Sequence, residues 1–135
     1  MAFKADFVTY MGIYRSIETE KLNLPTSEGR RTILSNHMPI MLPLDIGIIE
    51  TDEGGILKHY VTDGGVLYFK DNVAEIVADS IIDVEEIDIA QEEKEKIKEE
   101  EKLSRAEREN ERIRAMAKIE VADLRLKAAK QFMNQ

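Results

Sequence analysis

Through residue 82 the chain alternates short apolar, β-branched and aromatic runs with turn residues, at roughly the 8–12-residue spacing of a sandwich or barrel. The runs predict strands over 3–10, 14–24, 32–34, 38–44, 45–51, 56–62, 65–69 and 73–79. Asp52, Glu53, Gly54 and Gly55 stand between two of them, where glycine supplies the positive φ of a hairpin turn. Asp71 and Asn72 serve the same purpose ahead of Val73. Gly64 and Gly65 are also read as a hairpin turn, because no lysine and helix follow them as in a phosphate-cradling loop. Pro25, Pro39 and Pro43 lack an N–H for a ladder and are assigned to strand starts, edges or loops. The expectation is an antiparallel β-sandwich of about eight to ten short strands.

Beyond residue 82 glycine and proline are absent and helix formers dominate. The acids between Asp83 and Asp88 suit a helix N-terminus. Between Gln91 and Lys102 Ile97 is the one large apolar residue, so the first helix is read as mostly solvated and the run of acids from Glu92 to Glu101 as a water-facing surface. Ser104 and Glu107 match the S-x-x-E capping box and mark the expected turn. In the second helix Ile113, Ala117, Val121, Leu124 and Ala128 recur at spacings of three and four, with Met116, Ile119, Leu126 and Phe132 thickening the stripe. The turn carries no Gly or Pro, and one unbroken helix over 87–132 is the competing reading. The fold class is therefore α+β, with a β-sandwich over 1–82 and a helical hairpin over 83–135. A hairpin with so thin a seam gains little from burial, against roughly 1–2 kcal/mol of backbone entropy per ordered residue, so folded-down and extended tails should lie close in free energy.

Charge sharpens the division. Residues 1–82 carry seven Lys and Arg against twelve Asp and Glu, 83–103 four against ten, and 104–135 eight against five, within a total of −8. Such a balance disfavours nucleic acid, whose binding is driven by basic side chains. There is no cysteine, hence no disulfide or thiolate chemistry. Lys4 falls where a signal peptide would need an apolar core, and no run approaches about 18 apolar residues, so a soluble protein on the cytoplasmic side is expected. His37 and His59 stand in no metal-ligand spacing. Ser16 and Ser35 sit in nothing like a nucleophile elbow, which leaves a small hydrolase as a distant reading. What remains is an interaction protein, with the polar loops 24–31 and 35–39 as candidate docking elements on a rigid sandwich. A free-standing sandwich adaptor that self-associates through a coiled-coil tail is the rival from another class.

The ordered set Leu24, Pro25, Glu28 and Gly29, then Ile33, Leu34, His37 and Pro39, then Gly47, then Gly64, Gly65 and Leu67, then Val77, Ala78 and Asp79, and finally Ile87 and Asp88 resembles the epsilon subunits of F-type ATP synthases. The likeness runs from Phe3 to about Leu126. It implies a non-catalytic subunit of the proton-translocating rotor, at the cytoplasmic face of the cell membrane and peripheral to it. Its implied partners are the gamma subunit, the ring of c subunits and, through the tail, the beta and alpha subunits. On this resemblance Glu28, Arg30, Arg31, Asn36, His37 and Met38 are the expected ring and gamma contacts. The basic residues Arg105, Arg108, Arg112, Arg114, Lys118 and Arg125 would form an inhibitory tail that brakes ATP hydrolysis.

Departures from the family pattern carry their own expectations. Arg30, Arg31 and Thr32 stand where an acid, an apolar residue and a glycine are usual, which inverts the charge presented to the ring. Ser35 and Asn36 replace a usual Pro-Gly. No cofactor is implied as a requirement. Some relatives bind ATP between the helices through a motif resembling I-D-x-x-R-A. Here Ile87 and Asp88 match it, Gln91 and Glu92 do not, and Arg114 and Lys118 would complete the candidate site. Loss of the planar guanidinium and gain of an acid weaken phosphate binding, so ATP is retained only as an optional ligand.

Overall fold

The computed structural model describes residues 1–133. The chain forms two compact units, Met1–Asp83 and one that begins at Val84.

The first unit holds eight strands, β1 (Phe3–Thr9), β2 (Gly12–Thr19), β3 (Lys21–Thr26), β4 (Gly29–Leu34), β5 (Ile40–Glu53), β6 (Ile56–Lys70), β7 (Val73–Val77) and β8 (Ile81–Asp83). Their order is β2-β1-β7-β6-β5-β3-β4, with β8 on β6. The sheet closes over its core as a β-sandwich. Every pairing is antiparallel except that of β1 with β7, which corrects the expectation of a purely antiparallel fold. A parallel pair needs a long crossover, and β2 to β6 together supply it. Period-two alternation turns Phe3, Ala5 and Phe7 of β1 inward, where they join Leu22, Leu24, Ile33, Ile49, Leu67, Phe69 and Ile76 in one apolar cluster. Phe3 meets Phe69 edge-on at 5.4 Å, and Phe7 meets Tyr60 at 4.7 Å, the geometry aromatic quadrupoles favour.

Several strand bounds differ from expectation. The run 14–24 is two strands, broken at Glu20, where the Thr19 hydroxyl donates to the Lys21 carbonyl at 2.6 Å and accepts from the Asp52 amide at 3.0 Å. Conversely, 38–44 and 45–51 merge into β5, while 56–62 and 65–69 merge into β6. Gly64 and Gly65 thus lie inside β6 rather than at a hairpin turn. The ladder passes through them, from Leu44 opposite Gly65 to Ile46 opposite Asp63. Their φ values are 118° and 110°, and a Cβ on Gly65 would sit 2.2 Å from the Val77 carbonyl oxygen, so close backbone approach explains the pair. Pro43 sits in β5 opposite Val66, on a stretch whose other side β3 does not cover, consistent with its missing donor. The turn at 52–55 is as expected, with the Gly55 amide donating to Asp52 Oδ1 at 2.9 Å. Strand β8 was not expected from the sequence.

In the second unit a 3₁₀ turn (Val84–Glu86) precedes α1 (Ile89–Arg105) and α2 (Glu109–Phe132), so the tail is a hairpin and not one helix. Asp88 caps α1, its Oδ1 accepting from the Gln91 amide at 3.1 Å. The capping box at Ser104 does not form. Ser104 remains in the last turn of α1 and donates to the Glu101 carbonyl at 2.7 Å, a bond that removes its hydroxyl from capping. The chain breaks at 106–108 instead, and α2 starts from Arg108 without a side-chain cap. The predicted apolar stripe is also displaced, since Ile113 is 58% exposed while Ala115, Ala122 and Ala129 are buried. These alanines recur every seven residues and share one helix face. Opposite them Glu92 and Glu99 are buried too, which overturns their reading as part of a water-facing surface. Alanine lets the helices approach closely, and the approach covers acids whose methylenes pack like an apolar side chain.

Candidate functional site

The first candidate loop is the turn between β3 and β4. Thr26 Oγ1 donates to the Gly29 carbonyl at 2.6 Å and accepts from the Glu28 amide at 3.3 Å, fixing the turn and leaving Glu28 exposed. Arg30 and Arg31 then enter β4 opposite Pro25 and Leu24. Adjacent strand residues point to opposite faces, so the two arginines do not form one basic patch. Arg30 is tethered through Nε to Asn23 Oδ1 at 2.6 Å and through Nη2 to the Asn23 carbonyl at 3.2 Å. Partial desolvation lowers its pKa from the ordinary arginine value, against the pull of Glu50.

The second loop lies at the other end of β4. Asn36 adopts the left-handed conformation at φ 66°, and the His37 amide donates to the Leu34 carbonyl at 3.2 Å. Asn72, in the turn before β7, accepts from the Asn36 amide at 2.7 Å and bonds Ser35, so the two turns brace each other. His37 Nδ1 lies 2.7 Å from the Met38 carbonyl, and its ring stands edge-on to Phe69 at 6.0 Å. The structure therefore brings Asn36, His37 and Met38 together. It places them about 20 Å from Glu28 and its turn, one six-residue strand away at ~3.3 Å per residue.

Beside the second loop is a feature that loop composition does not disclose. Met41, Tyr68 and Val73 are exposed on neighbouring strands, with Met41 directly opposite Tyr68 and Tyr68 opposite Glu75. With Pro39, Ile40 and Phe69 they line an open groove of about 540 Å³. The signal was present in the strand alternation, where apolar residues occupy positions on the outer face of the sheet.

In the tail the basic residues separate into three groups. Arg105, Arg114 and Lys118 line a cleft of about 530 Å³ near the helix turn, together with Lys98, Lys102 and Glu99. Arg108 and Arg112 are exposed at the start of α2. Arg125 is engaged across the hairpin, its Nη1 bonding both oxygens of Glu92 at 3.2 and 3.3 Å. A further cross-hairpin pair joins Lys96 to Asp123 at 2.8 Å, and the Asp123 hydrogen bond raises the lysine's pKa. The residues suggested for ATP do not converge. Ile87 is buried and Asp88 is committed to capping at the start of α1, whereas Arg114 and Lys118 face its last turns, roughly 15 Å away at ~1.5 Å per residue. Glu92 bonds Arg125 instead of leaving room for phosphate between them.

The model of the ATP synthase delta/epsilon chain β-sandwich domain matches residues 2–84. The ATP synthase epsilon chain of Lactobacillus delbrueckii subsp. bulgaricus is 35% identical over 98 residues, covering 70% of this chain and 67% of the relative. Among solved structures, a chain of the Euglena gracilis mitochondrial ATP synthase OSCP/F1/c-ring assembly superposes with a TM-score of 0.73 at 24% identity, over 96% of this chain and 81% of that one. A chain of the Tetrahymena thermophila mitochondrial ATP synthase central stalk and c-ring gives 0.65 at 17% identity, over 93% and 95%. At these identities the two structures establish a shared fold.

Proposed function

Because this chain belongs to the ATP synthase delta/epsilon chain family, we propose that it is a non-catalytic rotor subunit that couples a catalytic head to a membrane ring through contacts alone. The observation that carries the reading is the family match across the whole sandwich, joined to a strand order that sets two structurally different loops at opposite ends of β4.

Two loops of unlike chemistry suit two unlike neighbours. The apolar groove of Met41, Tyr68 and Val73, continuous in sequence with Asn36, His37 and Met38, has the character of a permanent interface and is assigned to gamma. The charged turn of Glu28, Arg30 and Arg31 is assigned to the ring of c subunits, whose facing loop should be less basic or more acidic than is usual in the family. The tail is assigned to the alpha and beta subunits. Arg105, Arg108, Arg112, Arg114 and Lys118 are free to meet an acidic segment there, and Arg125 becomes so once the helices part. This position makes the protein peripheral to the cytoplasmic face of the membrane and dependent on its complex for attachment. Among the described residues no helix is long and apolar enough to cross a membrane. ATP is kept as an optional ligand of Arg114 and Lys118, since the first-helix half of the site is spent on capping and on Arg125.

Purification of the membrane complex through an affinity tag on this chain tests the proposal. It should recover a gamma partner, the ring and the catalytic subunits together. Recovery of the chain alone, or as a homodimer closed through residues 105–132, would favour the self-associating adaptor.

A further inference from the structure

We propose that Glu99 holds the helical hairpin close to its opening point, making the tail a strap poised for release, with Glu92 setting its register. The inference deepens the regulatory role given to the tail above and rests on that reading only for its consequence in the complex.

Glu99 and Glu92 lie seven residues apart and so share one face of α1. They are the α1 residues buried opposite the alanine ladder of α2. Residues equidistant from the turn at 106–108 face each other in an antiparallel hairpin, which sets Glu99 against Ala115 and Glu92 against Ala122, and Glu99 and Ala115 line the same cleft. An apolar residue at these two sites would complete a continuous seam. A carboxylate there has to be stripped of water each time the hairpin closes.

The two acids are compensated differently. Glu92 is bonded by Arg125 of the opposite helix, so closing the hairpin makes that interaction and opening it breaks it. Glu99 is only 1% exposed, and its printed partner is Lys102, at 3.4 Å and on the same helix. That bond survives opening. Closure therefore costs Glu99 its hydration and returns no bond across the seam, while opening restores the water and loses nothing. The Lys102 side chain is 54% exposed, so it stays largely hydrated in either state. The remaining cross-hairpin ion pair, Lys96 with Asp123, is half open to solvent and adds little. A seam of alanines with one uncompensated acid closes in a single register, fixed by Glu92 and Arg125, and closes weakly.

The full chain contains no cysteine, so Glu93→Cys and Lys127→Cys place one spin label on each helix without competing thiols. Label-to-label distance distributions and amide hydrogen exchange across α1 and α2 are compared for the parent, E99L and E99Q, with E100A at the exposed neighbouring position correcting for helix propensity. In E99L the long-distance population should fall, and helical amides should exchange about tenfold more slowly, as expected where an apolar side chain of similar volume replaces a buried charge. E99Q should lie between E99L and the parent. A hairpin unchanged or loosened in both Glu99 variants overturns the proposal. The measurement uses the free chain, so failure to join an ATP synthase leaves it intact, and a chain that does join can still fail it.

Discussion

Arg15 of β2 and Asp83 of β8 are 68 positions apart and meet at 2.5 Å, Arg15 Nη1 against Asp83 Oδ2. The guanidinium also lies over the rings of Tyr14 at 5.2 Å and Tyr60 at 5.6 Å, within cation–π range. The Asp83 amide donates to the Tyr14 hydroxyl at 3.0 Å, and Tyr60 donates to Glu53 at 2.7 Å. Desolvation is the largest influence on Arg15 and opposes its charge, yet its bonds to Asp83 and Tyr60 leave its pKa above the ordinary value. Desolvation and Glu53 push the Tyr60 hydroxyl well above the usual tyrosine range. Strand β8 is three residues long and pairs only with Tyr60, Val61 and Thr62, so this cluster anchors the last strand before the tail.

Removing one partner of a buried pair leaves the other charge uncompensated, at about 3–5 kcal/mol where both are deeply buried. The Asp83 side chain is 6% exposed and Arg15 29%, which puts D83N toward the low end, near 3 kcal/mol. Urea denaturation of the full chain should show a matching fall in midpoint. Amide exchange should accelerate first at Ile81, Ile82 and Asp83.

Gly65 is expected to be irreplaceable. Alanine there would place a methyl 2.2 Å from the Val77 carbonyl oxygen at a φ of 110°, combining a clash with backbone strain. A loss of about 3 kcal/mol or more follows, of the size reserved for such combined defects. Gly12 has a similar φ of 107° but open space around it, and G12A should cost only about 1–2 kcal/mol. Equal losses in the two variants would show that φ alone accounts for the effect at Gly65.

What the sequence disclosed depended on whether local chemistry had one structural meaning. The turn at 52–55 and the left-handed Asp71 and Asn72 were legible, because residues that tolerate positive φ between apolar runs announce a hairpin. Gly64 and Gly65 have the same composition and a different cause, a close approach of β7 that only the folded sheet supplies. The break at Glu20 carries no glycine or proline, and depends on the distant Asp52 bonding Thr19. In the tail, side-chain size pointed to Ile113, whereas close helix approach selected Ala115 and Ala122. The burial of Glu92 and Glu99 was hidden for the same reason, since charge pattern reports solvent exposure only until another helix covers it. Of the docking residues, the two loops were legible from their polarity. The groove of Met41, Tyr68 and Val73 was not, because it requires three strands to be placed side by side.

Acid should weaken the sandwich through Glu50. Lys21, bonded at 2.8 Å, is the main cause holding this carboxylate below its ordinary value of 4.5; desolvation opposes it and His59 at 2.9 Å assists. A depressed folded value means that the stabilisation is fully present above the unfolded pKa and is lost as pH falls through the folded one. Denaturation midpoints should therefore drop as pH is lowered below about 4.5, and E50Q should flatten that part of the profile. An E50Q profile parallel to the parent would assign the acid sensitivity to other groups.

Deleting residues 88–135 should raise ATP hydrolysis by the assembled enzyme several-fold if the tail acts as a brake, while ATP-driven proton pumping stays coupled because the sandwich remains. Unaltered hydrolysis would restrict the tail to packing. The deletion begins at the cap of α1, beyond the sandwich and its Arg15–Asp83 anchor, so head stability should change little.

Charge reversal at the β3–β4 turn should be asymmetric. Leu24 pairs with Arg31 and Pro25 with Arg30, so the two guanidinium groups leave β4 on opposite faces and one flat neighbour cannot engage both equally. Arg30 is already held by two bonds to Asn23, whereas Arg31 is exposed and makes no side-chain bond among the described residues. Arg31 is thus the arginine free to meet an acidic ring loop. R31E should slow association with the ring about tenfold at low ionic strength, and the deficit should shrink as salt screens the contact. R30E should act mainly on the local β3–β4 turn and leave that salt dependence near the parent's. Should the two reversals prove equivalent, the ring would have to grip the turn from its tip, and Glu28 would become the residue to change next.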